Sequence, residues 1–110
     1  MKVLNIFVDI DETICTKSPN NDYSKALPLK ANIKRINKLY NSGHIITYWS
    51  ARGTGTGINW RDVTIKQFEN WGVKYHHLSL GEKPVFDLLI DDRVLNISQL
   101  DKLDKIIKLF

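Results

Sequence analysis

Short apolar runs alternate along this chain with segments of helical periodicity, and this alternation limits the folds that it can adopt. The apolar runs have the length and the β-branched and aromatic composition of buried strands, and they span residues 3–8, 44–49, 73–80 and 85–90. Apolar residues recur at helical intervals near 30–41, 60–71 and 98–110. Strands that alternate with helices pair in parallel. We therefore predict a minimal Rossmann-like α/β domain, with three α/β/α layers and a mostly parallel sheet.

The chain length allows a single domain with a hydrophobic core. Its 110 residues are too few for two such domains, so we predict one domain over residues 1–110, with a flap at about 14–29 where turn formers cluster. The single cysteine, Cys15, excludes an intrachain disulfide. No apolar stretch approaches the roughly 20 residues of a membrane span, and no leader pattern is present. We expect a cytoplasmic protein with no cap domain and no membrane partner.

The net charge of +4 favours anionic partners. The lysines are spread along the sequence, without the dense basic run and interleaved aromatic residues typical of a nucleic-acid groove. We therefore expect a phosphorylated small molecule as the partner, rather than nucleic acid.

Two carboxylates and a hydroxyl directly follow the first apolar run, in the order Asp9, Asp11 and Thr13. Ligands of open α/β folds bind at the carboxyl ends of the strands. Carboxylates there can ligate a hard cation, and one of them can attack phosphorus. The same three residues also suit a polar loop or a helix cap, because Asp and Thr readily accept backbone hydrogen bonds.

Other polar residues follow the later apolar runs. Ser50 and Arg52 follow the second, Lys83 follows the third, and Asp91 with Asp92 follows the fourth. Because the carboxyl ends of parallel strands lie at one edge of a sheet, these groups are expected to converge on Asp9 and Asp11. Arg52 is equally suited to binding a substrate phosphate or to a surface salt bridge.

Together these residues resemble the haloacid dehalogenase superfamily of phosphotransferases over nearly the whole chain. Its first motif reads here Asp9-Ile10-Asp11-Glu12-Thr13, and its second reads Tyr48-Trp49-Ser50. Lys83, before Pro84, matches the third motif, and Asp91-Asp92 matches the fourth. The third motif reads Gly81-Glu82-Lys83-Pro84 and so has one residue more than the expected Gly-Lys-Pro form.

The resemblance implies an enzyme that hydrolyses phosphomonoesters. Asp9 would be the nucleophile that forms a phosphoaspartyl intermediate, and Asp11 would protonate the leaving oxygen and later activate water. Ser50 and Lys83 would stabilise the phosphoryl group. Arg52 would contact the substrate phosphate, and Thr13 would contact substrate or orient the loop below Asp9. Mg²⁺ would be held by Asp9, the Asp11 carbonyl and one acid of the later pair, with Asp92 favoured over Asp91 as the direct ligand.

Segments such as Tyr48–Gly53 and Asp87–Asp92 are similar to the small capsule-biosynthesis-type phosphatases of bacteria. That likeness implies a phosphorylated sugar or glycan precursor as substrate. A site without a cap is open, so it suits a large substrate or a homo-oligomer that covers the site. Three alternatives are a receiver-like phospho-acceptor module, a phosphomutase and a catalytically silent partner.

Overall fold

The protein is built on a sheet of three parallel strands in the order β1-β2-β3. The computed structural model describes residues 2–110. The strands are β1 (Asn5–Val8), β2 (Ile45–Ser50) and β3 (His77–Leu80), and the helices are α1 (Lys30–Asn41), α2 (Arg61–Trp71) and α3 (Leu103–Ile107). Short 3-10 helices span Pro19–Asn21, Tyr23–Lys25 and Ile97–Lys102. The predicted Rossmann-like α/β class with a parallel sheet is confirmed.

The hydrophobic core joins β2 to α1 and α2. Ile46 and Tyr48 alternate with outward residues, so they share one face of β2, and both are fully buried. The same core holds the apolar stripe of α1, which comprises Ile33, Ile36 and Leu39, together with Phe68 of α2. Burial of each such side chain contributes about 1.5–3 kcal/mol. This packing fixes both helices on the sheet and so fixes the strand ends.

The ends of α1 and α2 lie where the sequence predicts them. α1 ends at Asn41, and Gly43 follows with a φ of 99°. α2 ends at Trp71, and Gly72 caps it in the left-handed conformation, with a φ of 69°. In residues 2–110, no helix has both the length and the apolar character needed to cross a membrane.

The flap is closed at its base by main-chain pairing. Thr16 N–H donates to the Leu27 carbonyl at 2.8 Å, and Leu29 N–H donates to the Ile14 carbonyl at 2.8 Å. Its tip is held against α2, because Gln67 Nε2 donates to the carbonyl of Tyr23 at 2.6 Å. The tip of the flap therefore lies against α2.

β3 starts at His77, later than the predicted strand over 73–80, and α1 binds part of the backbone that precedes it. The Asn37 side chain accepts from Lys74 N–H at 2.9 Å and donates to the Gly72 carbonyl at 2.8 Å. The predicted final helix over 98–110 is likewise divided into a 3-10 helix and α3. Leu100 and Leu103 are both buried, and their spacing of three matches the turn of a 3-10 helix.

The prediction of a buried strand over 85–90 is wrong. This segment is outside the sheet, and Val85, Leu88 and Ile90 are 76%, 76% and 88% exposed. A crossover between parallel strands needs a dozen or more residues. Only residues 81–84 separate β3 from this segment, and four residues span at most about 14 Å. The chain therefore cannot return along the sheet to start another parallel strand at Val85.

Candidate functional site

The register of the sheet places the ends of the three strands side by side. Val8 pairs with Tyr48, which pairs with Leu78, and Ser50 pairs with Leu80. Asp9 therefore leaves β1 at the same edge at which Ser50 ends β2. The Gly81 N–H also donates to the Ser50 carbonyl at 3.3 Å, which ties the start of the Lys83 loop to this edge.

Asp9 and Lys83 form an ion pair at this edge. Lys83 Nζ lies 3.2 Å from Asp9 Oδ1, and the two side chains are 12% and 42% exposed respectively. The Lys83 ammonium also lies over the rings of Trp49 and Phe86, 5.2 and 5.6 Å from their centroids. Thr54 Oγ1 donates to the Lys83 carbonyl at 2.9 Å. Despite the extra residue in its motif, Lys83 is directed at the predicted nucleophile.

Asp11 pairs with Arg52 through both carboxylate oxygens. Arg52 Nε donates to Oδ2 at 3.0 Å, and Nη2 donates to Oδ1 at 2.9 Å. Nη1 donates to Thr64 Oγ1 at 3.0 Å and to Gln67 Oε1 at 2.7 Å. Nη2 also contacts Cys15 Sγ at 3.7 Å, so all five guanidinium N–H groups have partners.

These contacts give Arg52 a role that differs from both roles predicted from the sequence. Its side chain is fully buried, so it is neither a surface salt bridge nor a free ligand for a substrate phosphate. The guanidinium carbon also lies 4.8 Å from the centroid of the Tyr23 ring on the flap. Arg52 instead joins the first motif, α2 and the flap, and it fixes the orientation of the Asp11 carboxylate.

Cys15 packs inside this cluster and is a poor nucleophile. Its Sγ lies 3.6 Å from the Ile10 carbonyl and 3.4 Å from Asp11 Oδ1, and its single S–H group has these two oxygens as acceptors. Burial, with a further contribution from the Asp11 charge, raises the pKa of the thiol to about 12. The thiolate, which is the reactive form, is therefore scarce at neutral pH.

Ser50 and Thr13 take different positions around the acids. Ser50 is buried, and its Oγ accepts from the Arg52 N–H at 3.1 Å, which leaves its hydroxyl proton available to donate. Thr13 lies in the turn after Asp11, and its carbonyl accepts from Asn32 Nδ2 at 2.8 Å. That bond ties the turn to α1. The described contacts of Thr13 are thus those of a residue that orients the loop.

Asp91 and Asp92 are not brought to Asp9. Both are exposed, in the segment that follows residues 85–90. Asp91 Oδ1 accepts from the Arg93 N–H at 3.1 Å, and this bond lowers the pKa of Asp91. Within residues 2–110, no three His, Cys, Asp or Glu side chains are grouped closely enough to share a metal ion.

Sequence reasoning missed the two α2 residues that hold Arg52. Thr64 and Gln67 are buried polar residues at a spacing of three, on the same face of α2 as Phe68. Polar side chains on the buried face of an amphipathic helix need a hydrogen-bond partner inside the protein. The positions of Thr64 and Gln67 in the sequence could therefore have indicated a buried polar partner. A cavity of about 270 Å³ lies beside this cluster, between the loop at 52–60 and Leu80-Gly81.

The fold and the strand-end site define an α/β protein of Rossmann-like type, and one solved structure shares that fold. The crystal structure of a target protein from Vibrio cholerae is similar to this chain, with a TM-score of 0.82 and 23% sequence identity. The match covers 97% of this chain and 96% of that one. No family model matches the sequence, and neither does any curated protein. The likeness to the Vibrio cholerae protein shows the fold.

Proposed function

We propose that this protein is a phosphomonoester hydrolase of the haloacid dehalogenase type, with Asp9 as its nucleophile. The observation that carries the proposal is the ion pair of Asp9 and Lys83, 3.2 Å apart at the carboxyl edge of a parallel sheet. Ligands of open α/β sheets bind at this edge. The Asp9 carboxylate is 42% exposed and so accessible to a phosphoryl group, while the Lys83 ammonium offsets the charge of the arriving phosphate.

The chemistry has two displacements. In the first, an Asp9 oxygen bonds to phosphorus while the bond to the leaving oxygen breaks, and its electron pair departs with that oxygen. In the second, water bonds to phosphorus and the bond to Asp9 breaks, which restores the carboxylate and releases inorganic phosphate. Lys83 and the Ser50 hydroxyl stabilise the negative phosphoryl oxygens in both steps.

Asp11 suits the second displacement better than the first. Both oxygens of the Asp11 carboxylate accept hydrogen bonds from the Arg52 guanidinium, so this carboxylate is held as an acceptor and not as a donor. It keeps further lone pairs with which to take a proton from water. The Arg52 pair therefore supports a base role for Asp11 and argues against the acid role. We infer that leaving groups of low basicity, such as acyl and aryl oxygens, react faster than alkyl oxygens.

Mg²⁺ is part of the proposal through the resemblance alone. The described side chains do not fit that centre as arranged, because the Asp91-Asp92 pair, which would supply the ligand beside Asp9 and the Asp11 carbonyl, lies in a separate exposed segment. Neither displacement above is therefore routed through a metal. The assay below includes Mg²⁺ and EDTA arms so that the requirement is measured directly.

A phosphorylated sugar or glycan precursor is the substrate class that we propose to test first, because of the likeness to capsule-biosynthesis-type phosphatases. A second candidate function is a phospho-acceptor module, in which Asp9 keeps the phosphoryl group. The Arg52 pair favours this candidate in one respect, because transfer to Asp9 from a donor with a leaving group of low basicity needs no acid at Asp11.

The test is phosphate release by the purified protein from sugar phosphates, nucleotides, phosphopeptides, and acyl and aryl phosphates, with Mg²⁺ or EDTA. Asp9→Asn removes the nucleophile, and Asp101→Asn, at an exposed position of the 3-10 helix before α3, is the matched control. We expect release by the wild type and by Asp101→Asn, and none by Asp9→Asn. Release that persists in Asp9→Asn would contradict the proposal. Phosphorylation of Asp9 without turnover would favour the phospho-acceptor module.

A further inference from the structure

A basic groove of about 850 Å³ runs between α1 and the end of α2, away from Asp9 and Lys83. Its floor includes the accessible apolar side chains of Pro28, Ala31 and Trp71. Five basic residues line it, namely Lys30, Lys34, Arg35, Lys38 and Lys74, and no Asp or Glu is among the residues that line it. The basic groove thus combines an apolar floor with cationic walls.

The basic groove accounts for the positive charge of the whole chain. The protein has 16 Lys and Arg and 12 Asp and Glu. Five of the 16 line the groove, so the remaining 11 basic residues are matched by 12 acidic ones. One charge of the groove has a described acidic partner: Lys38 forms an ion pair with Asp104 at 3.5 Å, and both side chains are about 70% exposed. Such an exposed pair is weak, so it does little to cancel the local field.

The two walls of the groove are held together by side-chain bonds. The Asn37 amide bonds the backbone of Gly72 and Lys74, as described above. The Lys74 ammonium is in turn oriented by Asn41 Oδ1, at 3.1 Å. The Lys74 ammonium is therefore already positioned opposite α1 in the free protein, so that less side-chain entropy is lost when an anion binds there.

The spacing of the cations indicates the kind of anion that they fit. Lys30, Lys34 and Lys38 form one row on α1, separated by about 6 Å along the helix axis. Acidic side chains four residues apart on a partner helix repeat at the same distance. The phosphates of one B-DNA strand repeat at about 3.4 Å, and single strands are bound by exposed aromatic platforms. Trp71 is the aromatic residue of the groove, and it packs against the core instead.

We propose that the basic groove binds an acidic amphipathic helix of a partner protein. The apolar stripe of that helix lies on the floor formed by Pro28, Ala31 and Trp71, and its acidic residues face the lysine row and Lys74. The cationic rim speeds association and selects the acidic partner. This surface is independent of the proposed hydrolase, since it contains none of that site's residues.

The test uses a fluorescein-labelled synthetic helix of about 18 residues, a length at which an isolated helix can form. Glu occupies every fourth position of one stripe, and Leu fills the adjoining stripe. Its affinity is measured by fluorescence anisotropy at low and high salt. Two further probes are the same peptide with Gln for Glu and a labelled oligothymidylate.

Two triple variants with the same change in net charge distinguish binding at the basic groove from attraction to the overall charge of the protein. Lys30→Glu/Lys34→Glu/Lys74→Glu reverses the basic groove, and Lys66→Glu/Lys102→Glu/Lys108→Glu reverses three exposed lysines elsewhere. Circular dichroism checks that both fold, and Lys34→Gln/Lys74→Gln provides a milder groove variant. We expect the groove triple variant to weaken peptide binding by about tenfold or more and the control by about twofold at most.

Three results would overturn the proposal. If the two triple variants weaken peptide binding equally, the peptide responds to the net charge of the protein and not to the basic groove. Tighter binding of oligothymidylate than of the acidic helix, lost in the groove variants, would assign the groove to nucleic acid. Absence of peptide binding at low salt would show that the groove does not accept an acidic helix.

Discussion

Arg52 is the residue on which the site depends most for its shape, because all five of its N–H groups are bonded inside the protein. Its partners come from the turn after β1, from α2 and from Cys15. A buried guanidinium with a full set of partners fixes several elements at once. At the scale of single residues, Arg52 is therefore a positioning residue that orients Asp11.

Replacement of Arg52 by Gln should lower the free energy of unfolding by about 3 kcal/mol, because it leaves the Asp11 charge without its partner. Arg35→Gln, at an exposed position of α1, is the control and should change it by about 0.5 kcal/mol at most. Urea unfolding measures both. Equal stability of the two variants would contradict the buried network.

Cys15 should make the protein less stable at alkaline pH. Its pKa is about 12 in the folded protein and 9.0 for an ordinary thiol, so the folded state keeps a proton that the unfolded state loses. Stability is therefore intact below about pH 9 and falls, as pH rises towards 12, by about 1.4 kcal/mol per pH unit for this group. Burial also raises the pKa of Tyr48, which acts in the same direction.

Cys15→Ala tests this contribution. Urea unfolding at pH 8 and pH 10.5 should show a smaller loss of stability in Cys15→Ala than in the wild type, because the alanine has no proton to release. An identical loss in both proteins would mean that the thiol is not protected by burial.

At the scale of elements, the loop at 51–57 has two glycines with a positive φ, Gly53 and Gly57, and Gly53 is the one that is also crowded. Gly53 has a φ of 86°, and a Cβ there would collide with the Ile58 carbonyl. Gly55 has an ordinary φ and open space around its Cα. Gly53→Ala should therefore cost more than about 1 kcal/mol, and Gly55→Ala should be nearly neutral. Thermal unfolding of both variants tests this difference, and similar melting temperatures would contradict the loop geometry.

The segment at 85–90 shows where sequence patterns stop being informative. Periodicity placed α1, α2 and two strands well, because amphipathic helices and buried strands each repeat at their own period. An apolar run alone did not reveal that the four residues before it are too few for a parallel crossover. Topology, rather than local composition, decides the fate of this segment.

Hydrogen exchange tests directly whether residues 85–90 pair as a strand. The amides of residues 85–90 should exchange much faster than those of β2, because they have no ladder partners in the described sheet. Protection of 85–90 equal to that of β2 would show that the segment forms a fourth strand.

At the scale of the whole molecule, the parallel sheet explains why part of the site was predictable. The pairing of Asp9 with Lys83 follows from strand ends that meet at one edge, and the sequence motifs placed both residues there. The pairing of Asp11 with Arg52 joins residues 41 positions apart through buried contacts to α2, and no local pattern encodes such a contact. The separation of Asp91 and Asp92 from Asp9 follows from the absent fourth strand.

Acid-quenched mass spectrometry of the protein during reaction with a phosphorylated substrate tests most directly whether Asp9 is the nucleophile. We expect a transient phosphoryl group on Asp9 that is absent from Asp9→Asn, together with continued release of phosphate. Turnover without any phosphorylated Asp9, or a phosphoryl group on another residue, would contradict the assignment of Asp9 as the nucleophile.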